Sequence, residues 1–323
     1  MLIPAFAKAG ARFHTLAASS GIGPVHVGRK FGFRQASTDV PALLCDPSCN
    51  TVVIATRHDS HALLVQQALN AEKHVFVEKP LCLTAEELTS IQAAHTGEQL
   101  LMVGFNRRFA PLIIDLKQQL QRLSGPKAFV YTCNAGAIPD DHWTQDPVLG
   151  GGRLLGEACH FVDLLRHLAD SPIEELQLLN AADRKICPDT FSLQLRFVDG
   201  SIGTVHYLAN GSKAFPKERL EVFADSTVLR LDNYRKLKAW GIPGFRTRRR
   251  LSQEKGQMAC CAAFLDAIEV GGPPPIPVSE LFEGKRWLLE DLVNDHLLCY
   301  WAWLHRSPYC CCSRESRSSG DWR

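Results

Sequence analysis

His160 and Asp163 have the residue types and the spacing that proton transfer requires. They lie three residues apart in a stretch whose pattern predicts a helix, so their side chains lie one turn apart on the same face. An unperturbed imidazole titrates near physiological pH and is able to take a proton from a hydroxyl group. The carboxylate would orient the ring and stabilise its charged form, or bind a hydroxyl group itself. The pair alone is also typical of a solvated helix surface.

Lys79 follows the apolar run of residues 74–77. The buried-strand pattern of residues 51–56 comes before that run, and a predicted helix, residues 59–70, separates the two. In an open parallel sheet, ligands bind beyond the carboxyl ends of the strands. We therefore expect Lys79 to point into a ligand crevice. The alternative is a surface lysine held by the neighbouring glutamate.

The hydrophobic pattern predicts an α/β chain with two domains. Strand and helix patterns alternate over residues 1–122, which predicts a Rossmann-like, doubly wound parallel sheet. After Gly125-Pro126 the pattern changes to longer β runs, with tight turns at Asp199-Gly200 and Asp225-Ser226. Consecutive strands joined by such turns must be antiparallel. We therefore expect residues 123–305 to form an α+β domain with a mostly antiparallel sheet.

Four segments carry a resemblance to a known family. They are residues 52–61, 74–81, 103–109 and 150–163, and they occur in the family's order and at roughly its spacing. In these segments the chain resembles the glucose-fructose oxidoreductase, inositol dehydrogenase and MocA family of nicotinamide-dependent sugar dehydrogenases. Shorter segments after residue 206 resemble the branch found with bacterial surface-polysaccharide synthesis. The resemblance implies the same two-domain fold, in which the second domain has an open sheet that often mediates oligomerisation.

The resemblance implies hydride transfer between NAD or NADP and a hydroxyl or carbonyl group of a sugar or nucleotide sugar. His160 would be the catalytic base, with Asp163 and Lys79 as the other catalytic residues. The lysine would bridge the substrate hydroxyl and the nicotinamide ribose and lower the pKa of the reacting alcohol. The cofactor contacts implied are Thr56, Arg57, His58, His61, Glu78, Lys79 and Asn106. The substrate contacts implied are Lys79, Arg108, Trp143 and His160.

The chain departs from the family pattern in two places. Gly156 stands four residues before His160, where the family has an acidic residue, and Glu157 would point about 100° away around an α-helix. The family's first strand and glycine-rich phosphate loop have no counterpart, so the first strand and Gly-rich loop of the Rossmann-like sheet are missing. We therefore expect an N-terminally truncated or mis-started chain. A non-catalytic or degenerate member that acts as a binding or regulatory protein is the alternative to the enzyme.

The choice between NAD and NADP stays open. A strand is predicted at residues 12–18, and residues 17–20 lie at its end, where the family contacts the ribose of the cofactor. These residues offer no carboxylate for a 2′-hydroxyl group. Strict NAD preference is therefore unsupported, and Arg29 or Lys30 would serve a 2′-phosphate.

The sequence predicts no metal site. His58 and His61 lie one helical turn apart but lack a third ligand at suitable spacing, and Cys45 and Cys49 would supply at most half of a site. The three consecutive cysteines near the C-terminus lie in residues 306–323, which are rich in Ser and Arg and are expected to be disordered.

Composition and charge limit the partners. A formal net charge of +2 gives no electrostatic reason to expect nucleic-acid or membrane binding. No stretch approaches the roughly 18 apolar residues of a membrane span, and the N-terminus lacks the pattern of a signal peptide, so we expect a cytoplasmic protein. The partners expected are a small sugar or nucleotide-sugar substrate and further copies of the chain, bound through the C-terminal sheet.

Overall fold

The structure is a computed structural model that describes residues 2–18, 22–181 and 187–296. Short strands alternate with helices in its first part, which confirms the predicted alternation. The sequence pattern predicts a strand at residues 32–35, and this position was wrong: the preceding helix extends to Phe31, Gly32 with φ of 75° ends it, and the strand forms at Gln35–Ser37. The elements are α1 (Leu2–Lys8), β1 (Thr15–Ala17), α2 (Ile22–Phe31), β2 (Gln35–Ser37), α3 (Val40–Cys45), β3 (Thr51–Ile54), α4 (His61–Asn70), β4 (His74–Val77), α5 (Ala85–Ala94), β5 (Leu101–Val103) and α6 (Pro111–Leu120).

Within the described residues the parallel strands form two sheets. β1 pairs with β2, while β4 pairs with β3 on one side and with β5 on the other, all in parallel. This confirms the predicted Rossmann-like parallel arrangement. The side chains of β4 and β5 that face the core are fully buried, whereas Val53 of β3 is exposed. The central position of β4 places the residues that follow it in the middle of the carboxyl edge.

A capping box fixes the helix that follows this edge. The Thr84 hydroxyl accepts from the backbone N–H of Glu87, and the Glu87 carboxylate accepts from the backbone N–H of Thr84 and of Leu83. The sequence pattern of Thr84 followed by Glu86 and Glu87 predicts this helix start. The chain between β4 and α5 is therefore held at both ends, by the sheet and by the cap.

The second part begins after α6, and its elements confirm the predicted change to longer strands. The sequence pattern predicts a last helix over residues 279–303. The end of that helix and the whole predicted tail, residues 306–323, lie outside the described residues. The elements are β6 (Ala128–Asn134), α7 (Cys159–Ala169), β7 (Ile173–Asn180), β8 (Phe191–Phe197), β9 (Ile202–Leu208), β10 (Glu218–Ala224), β11 (Thr227–Asp232), β12 (Lys236–Trp240), β13 (Arg248–Arg249), α8 (Gln257–Val270) and α9 (Val278–His296).

These strands form one eight-stranded sheet in the order β13-β12-β11-β10-β6-β9-β8-β7. Both predicted hairpins are present, and the sheet is antiparallel except for the parallel pair β6 and β9. One face is buried under α7 and α9, which pack on β9 and β7. Gly203 of β9 allows the close approach, since a Cβ atom there would lie 2.9 Å from Leu165 of α7. None of the helices in the described ranges is long and apolar enough to cross a membrane.

Candidate active site

The loops that follow β3, β4 and β5 meet at the carboxyl edge of their sheet, because the three strands are parallel neighbours. The loop after β3 carries Thr56 and Arg57, both exposed, and the loop after β4 carries Lys79. A short helical turn, Asn106–Phe109, follows β5. This is the edge where ligands bind in open parallel sheets.

The Lys79 ammonium group is held by the segment that leads into α7. Its Nζ atom donates to Oε1 of Glu157 and to the carbonyl oxygen of Gly156, at 2.6 Å each. The Lys79 side chain remains 17% exposed, so it is within reach of a bound molecule. Burial acts to raise the pKa of Glu157, but the charges of Lys79, Arg107 and Lys217 outweigh it and hold that pKa below its ordinary value. The Glu157 side chain is therefore a carboxylate.

Glu157 reaches Lys79 because the helix is locally widened. Residues Leu154–Ala158 form a π-helical turn, which changes the angular position of each side chain relative to an α-helix. The expectation that Glu157 turns away was wrong because it assumed α-helical spacing. The structure also explains why residue 156 is a glycine, since a Cβ atom on Gly156 would lie 3.0 Å from Cε1 of His58. The His58 ring fills the space, and Glu157 supplies the carboxylate from the next position.

Replacing Gly156 by aspartate, which restores the family's acidic residue, is expected to destabilise the protein. The Cβ atom of the new side chain crowds the His58 ring, which must shift to make room, and overpacking of this kind costs about 1–3 kcal/mol. Chemical denaturation measures the loss. Gly284→Ala in α9 is the matched control, since its Cβ atom would lie 3.9 Å from Val162, an ordinary contact. A Gly156→Asp variant as stable as this control would contradict the packing argument.

The His160 imidazole is buried, with 6% of the residue exposed. Its ring meets that of Phe105 edge-on, with centroids 5.9 Å apart, and its Nδ1 atom has no hydrogen-bond partner among the described residues. Burial holds the pKa of His160 well below its ordinary value, and the cations of Arg107, Lys79 and Lys255 lower it further. The ring is therefore neutral at physiological pH, which is the form that accepts a proton.

Asp163 binds Arg108 rather than His160, which corrects the predicted orienting role. Its two carboxylate oxygens accept from Nε and Nη2 of Arg108, at 2.9 and 2.7 Å, and both side chains are buried. Arg108 also donates to Glu280 of α9. A buried guanidinium requires carboxylate partners, and this requirement turns Asp163 away from the histidine. The structure thus places Arg108 in an ion-pair network between α7 and α9, contrary to the predicted substrate contact.

His58, Arg57 and Trp143 form a second cluster at this edge. Nδ1 of His58 lies 2.8 Å from the carbonyl oxygen of Gly150, and its ring meets Trp143 edge-on at a centroid distance of 4.8 Å. The Arg57 guanidinium lies over the Trp143 ring, 5.8 Å from its centroid. Burial lowers the pKa of His58 to about 4, so this ring is neutral. Arg57 and Trp143 keep exposed surface and are accessible to a ligand.

His61 is fully buried and connects two of the loops. Its Nδ1 atom lies 2.7 Å from the carbonyl oxygen of Pro80, and its Nε2 atom lies 3.2 Å from that of Thr56. Burial lowers the pKa of His61, so the ring is neutral and only one of its nitrogens carries a proton to donate. Both nitrogens face backbone oxygens, so the structure places His61 as a link between loops.

Glu78 and Asn106 face the segment that begins α8. Nδ2 of Asn106 donates to the carbonyl oxygen of Lys255 at 2.8 Å. Oε1 of Glu78 accepts from Nε2 of Gln257 at 3.5 Å, and burial raises the pKa of Glu78. The structure thus brings both predicted cofactor contacts to the same edge. Sequence reasoning missed Lys255 and Gln257, because nothing near them in sequence indicates their distant partners.

Glu218 was also missed, although the sequence carries a signal for it. Its carboxylate is 1% exposed and accepts from Arg107, Lys255 and Tyr131. Alternation along β10 places Glu218 on the same face as Leu220, which is buried. An acidic residue on the core face of a strand requires cationic or hydrogen-bonding partners, and this predicts a buried network.

Two family models match the chain. Residues 13–105 match the oxidoreductase family with an NAD-binding Rossmann fold, and residues 126–230 match the GFO/IDH/MocA C-terminal domain. The first range contains the loops with Thr56 and Lys79, and the second contains His160. The chain belongs to this oxidoreductase family, and its N-terminal part is the family's NAD-binding Rossmann domain.

Curated relatives match over part of their length. The chain is 27% identical to the myo-inositol 2-dehydrogenase of Thermotoga maritima over 215 residues, which cover 64% of this chain and 63% of that protein. It is 29% identical to the levoglucosan dehydrogenase of Pseudarthrobacter phenanthrenivorans over 165 residues, 47% of this chain and 40% of the relative. The chain therefore spans less than two thirds of the length of either protein.

Solved structures share the fold over most of the chain. A levoglucosan dehydrogenase in complex with NADH and levoglucosan superposes with a TM-score of 0.77 at 19% identity, covering 91% of this chain and 94% of the other. An NAD binding oxidoreductase from Klebsiella pneumoniae gives a TM-score of 0.80 at 19% identity, covering 91% and 93% of the two chains. At these identities the likeness shows the fold.

Proposed function

We propose that this protein is an NAD(P)-dependent oxidoreductase that acts on a hydroxyl or carbonyl group of a sugar or nucleotide sugar. The observation that carries the proposal is that a partly exposed cation, Lys79, lies close enough to the buried neutral base His160 for its charge to lower the pKa of the imidazole. Oxidation of an alcohol needs a base for the hydroxyl proton and positive charge for the oxygen that loses it. The polyhydroxylated substrates in the names of the inositol and levoglucosan relatives support a sugar-like substrate.

The described residues fit a nicotinamide cofactor at the carboxyl edge of β3, β4 and β5. Thr56 and Arg57 offer an exposed hydroxyl and an exposed cation there, and Glu78 and Lys79 follow the central strand. The buried Nδ1 atom of His160, which lacks a partner among the described residues, fits a site whose polar partner is a ligand. When bound, the cofactor supplies the hydride acceptor or donor. Thr56, Arg57 and Glu78 would hold its ribose and nicotinamide portions.

The positive field at this site acts on both proton donor and acceptor. Lys79 lowers the pKa of a bound hydroxyl group, and the same charge lowers the pKa of His160. The charge of Lys79 therefore favours loss of the hydroxyl proton and at the same time keeps His160 in the neutral form that receives it. Glu157 fixes the position of the Lys79 ammonium through its hydrogen bond. His160 receives the proton in oxidation and returns it in reduction.

Binding and turnover are measured separately to test this function. Titration calorimetry with NAD and NADP reports binding, and the absorbance of the reduced nicotinamide reports turnover with a panel of polyols, inositols and sugars. We expect both signals from the wild-type protein, with turnover strongly reduced in Lys79→Met. Binding at a roughly micromolar Kd without turnover across the panel would support the non-catalytic alternative.

The open face of the eight-stranded sheet fits a second copy of the chain. One row across five neighbouring strands is apolar, because the register aligns Trp240, Val228, Phe223, Ala128 and Ile202. Three of these side chains are exposed, at 47%, 44% and 55% for Trp240, Phe223 and Ile202. A contiguous apolar row is typical of an association surface, and a two-fold axis would place this row against itself.

Phe223→Lys is expected to shift the protein toward monomer. The change places a charge in the middle of the apolar row, and light scattering after size-exclusion chromatography measures the mass. Phe215→Lys is the matched control, since Phe215 is 57% exposed in the loop before β10 and lies off the row. A wild-type protein that is monomeric at all concentrations, or equal effects of the two variants, would contradict the proposed interface.

A further inference from the structure

His14, Asp46 and Cys49 converge at the amino ends of β1 and β3. His14 directly precedes β1, and Cys49 lies two residues before β3. Asp46 ends α3, the helix between β2 and β3. This is the opposite end of the strands from Lys79, which follows the carboxyl end of β4. The cluster is therefore separate from the candidate active site.

The three side chains have the geometry of a metal-ligand set. One nitrogen, one oxygen and one sulfur atom of His14, Asp46 and Cys49 all lie within 4.8 Å of one another. Nδ1 of His14 and Oδ2 of Asp46 are 3.6 Å apart. Tetrahedral zinc with bonds of about 2.0–2.3 Å separates neighbouring ligand atoms by roughly 3.3–3.8 Å. A small contraction of the cluster thus satisfies the coordination distances.

The backbone already holds two of the ligands in place. Residues 46–49 form a tight turn in which the N–H of Cys49 donates to the carbonyl oxygen of Asp46 at 3.2 Å. Oδ1 of Asp46 accepts from the N–H of Ser48 at 2.8 Å, which leaves Oδ2 directed toward His14. Cys49 is buried, and the other two side chains are partly exposed. A cation therefore has a path of entry to a preformed turn.

We propose that His14, Asp46 and Cys49 bind a zinc-type divalent cation, with a fourth position open to water. Imidazole, carboxylate and thiolate together favour zinc over magnesium or calcium, which prefer oxygen ligands alone. On binding, the Cys49 thiol releases its proton to solvent and a sulfur–metal bond forms. If Nδ1 of His14 is the ligand, the ring gives up its 2.9 Å contact with the Thr15 hydroxyl, which keeps its hydrogen bond from Gln35.

Lys73 is the charged neighbour that opposes the cation. Its ammonium group is buried and donates to the carbonyl oxygen of Asp46 at 2.9 Å, outside the ligand atoms. The two anionic ligands, Asp46 and the Cys49 thiolate, neutralise a divalent cation despite this charge. The role of the site follows from its position: the sheets of β1 and β3 share no hydrogen-bonded strand pair among the described residues, and the metal would join them.

Cobalt(II) titration of the full chain tests the site directly. Cobalt replaces zinc in tetrahedral sites, and a thiolate ligand adds a sulfur-to-cobalt charge-transfer band. We expect Cys49→Ser to lose this component of the band and one bound cobalt per chain, and His14→Ala to weaken binding at least tenfold. We also expect zinc to raise the Tm of the wild-type protein and to have a smaller effect on either variant.

Cys45→Ser is the matched control, because Cys45 is an exposed thiol four residues away and outside the cluster. It should bind cobalt as the wild-type protein does, and metal-free melting curves show whether each variant is folded. The cysteines near the C-terminus contribute equally to all of these proteins and cancel in the comparison. Should Cys49→Ser and Cys45→Ser have the same spectrum and the same stoichiometry, the proposed site does not exist. If Cys49→Ser is unfolded, unchanged cobalt binding in Asp46→Asn and His14→Ala refutes it.

Discussion

Replacing His160 by asparagine is expected to lower kcat/KM by about 10²- to 10⁴-fold, the usual contribution of a general base. The amide of asparagine hydrogen-bonds to a substrate hydroxyl but does not accept its proton. Asparagine is smaller than histidine, so a melting curve of the variant shows whether a loss of rate reports chemistry or unfolding. Steady-state kinetics with the reduced or oxidised cofactor measures the effect. A variant that keeps activity within tenfold of the wild type would rule out His160 as the base.

The pH profile separates a base from a merely structural histidine. Burial first, and then Arg107 and Lys79, hold the pKa of His160 well below its ordinary value. The neutral form therefore persists as the pH falls through 6.5, and kcat/KM should stay constant there. Lys79→Met removes one of the charges that lower this pKa, so residual activity should decline at a higher pH than in the wild type. His167→Asn, on the same helix and outside the site, is the control and should keep the wild-type profile.

The sequence predicted the placement of Lys79 and Thr56 because their positions depend on local information. Strand and helix periodicities define β3 and β4, and parallel strands joined by a helix must carry their following loops at one edge. The start of α5 was predictable for the same reason, since Thr84 and Glu87 form their capping box with each other. Structural features that depend on contacts within about a dozen residues of the sequence could be predicted.

The partners of Asp163 and Glu157 depend on contacts between distant parts of the chain. Asp163 binds Arg108, which is 55 residues earlier in the sequence, and no helical periodicity indicates that choice. Glu157 meets Lys79, 78 residues away, only because a π-helical turn replaces α-helical geometry. The α-helical angle between side chains applies only where the backbone is a regular α-helix, so it gave the wrong direction for Glu157 in the π-helical turn. Functional sites are common places for such irregular turns.

Glu218→Gln is expected to lower the free energy of unfolding by about 3–5 kcal/mol, the cost of breaking a buried ion pair by removing one partner. The Glu218 carboxylate binds Arg107 at 3.2 Å and Lys255 at 2.5 Å, and both cations lose their counter-charge in the variant. Arg107 follows β5 and Lys255 precedes α8, so the carboxylate fastens the first part of the chain to β10. Urea denaturation monitored by tryptophan fluorescence measures the loss, as a lower midpoint at an unchanged slope.

The pH dependence of this loss identifies its cause as charge. Burial acts to raise the pKa of Glu218, but Arg107 and Lys255 outweigh it and hold that pKa at about 2, below its ordinary value of 4.5. Such a shift corresponds to about 3 kcal/mol, in agreement with the cost of breaking the pair. The stabilisation is complete above pH 4.5 and disappears as the pH falls toward 2, so the difference between wild type and Glu218→Gln should shrink over that window. Glu221→Gln, on the same strand but half-buried, should change stability by less than about 0.5 kcal/mol at every pH. A Glu218→Gln deficit that stays constant from neutral pH to acid would mean that packing, rather than the ion pair, is what the variant loses.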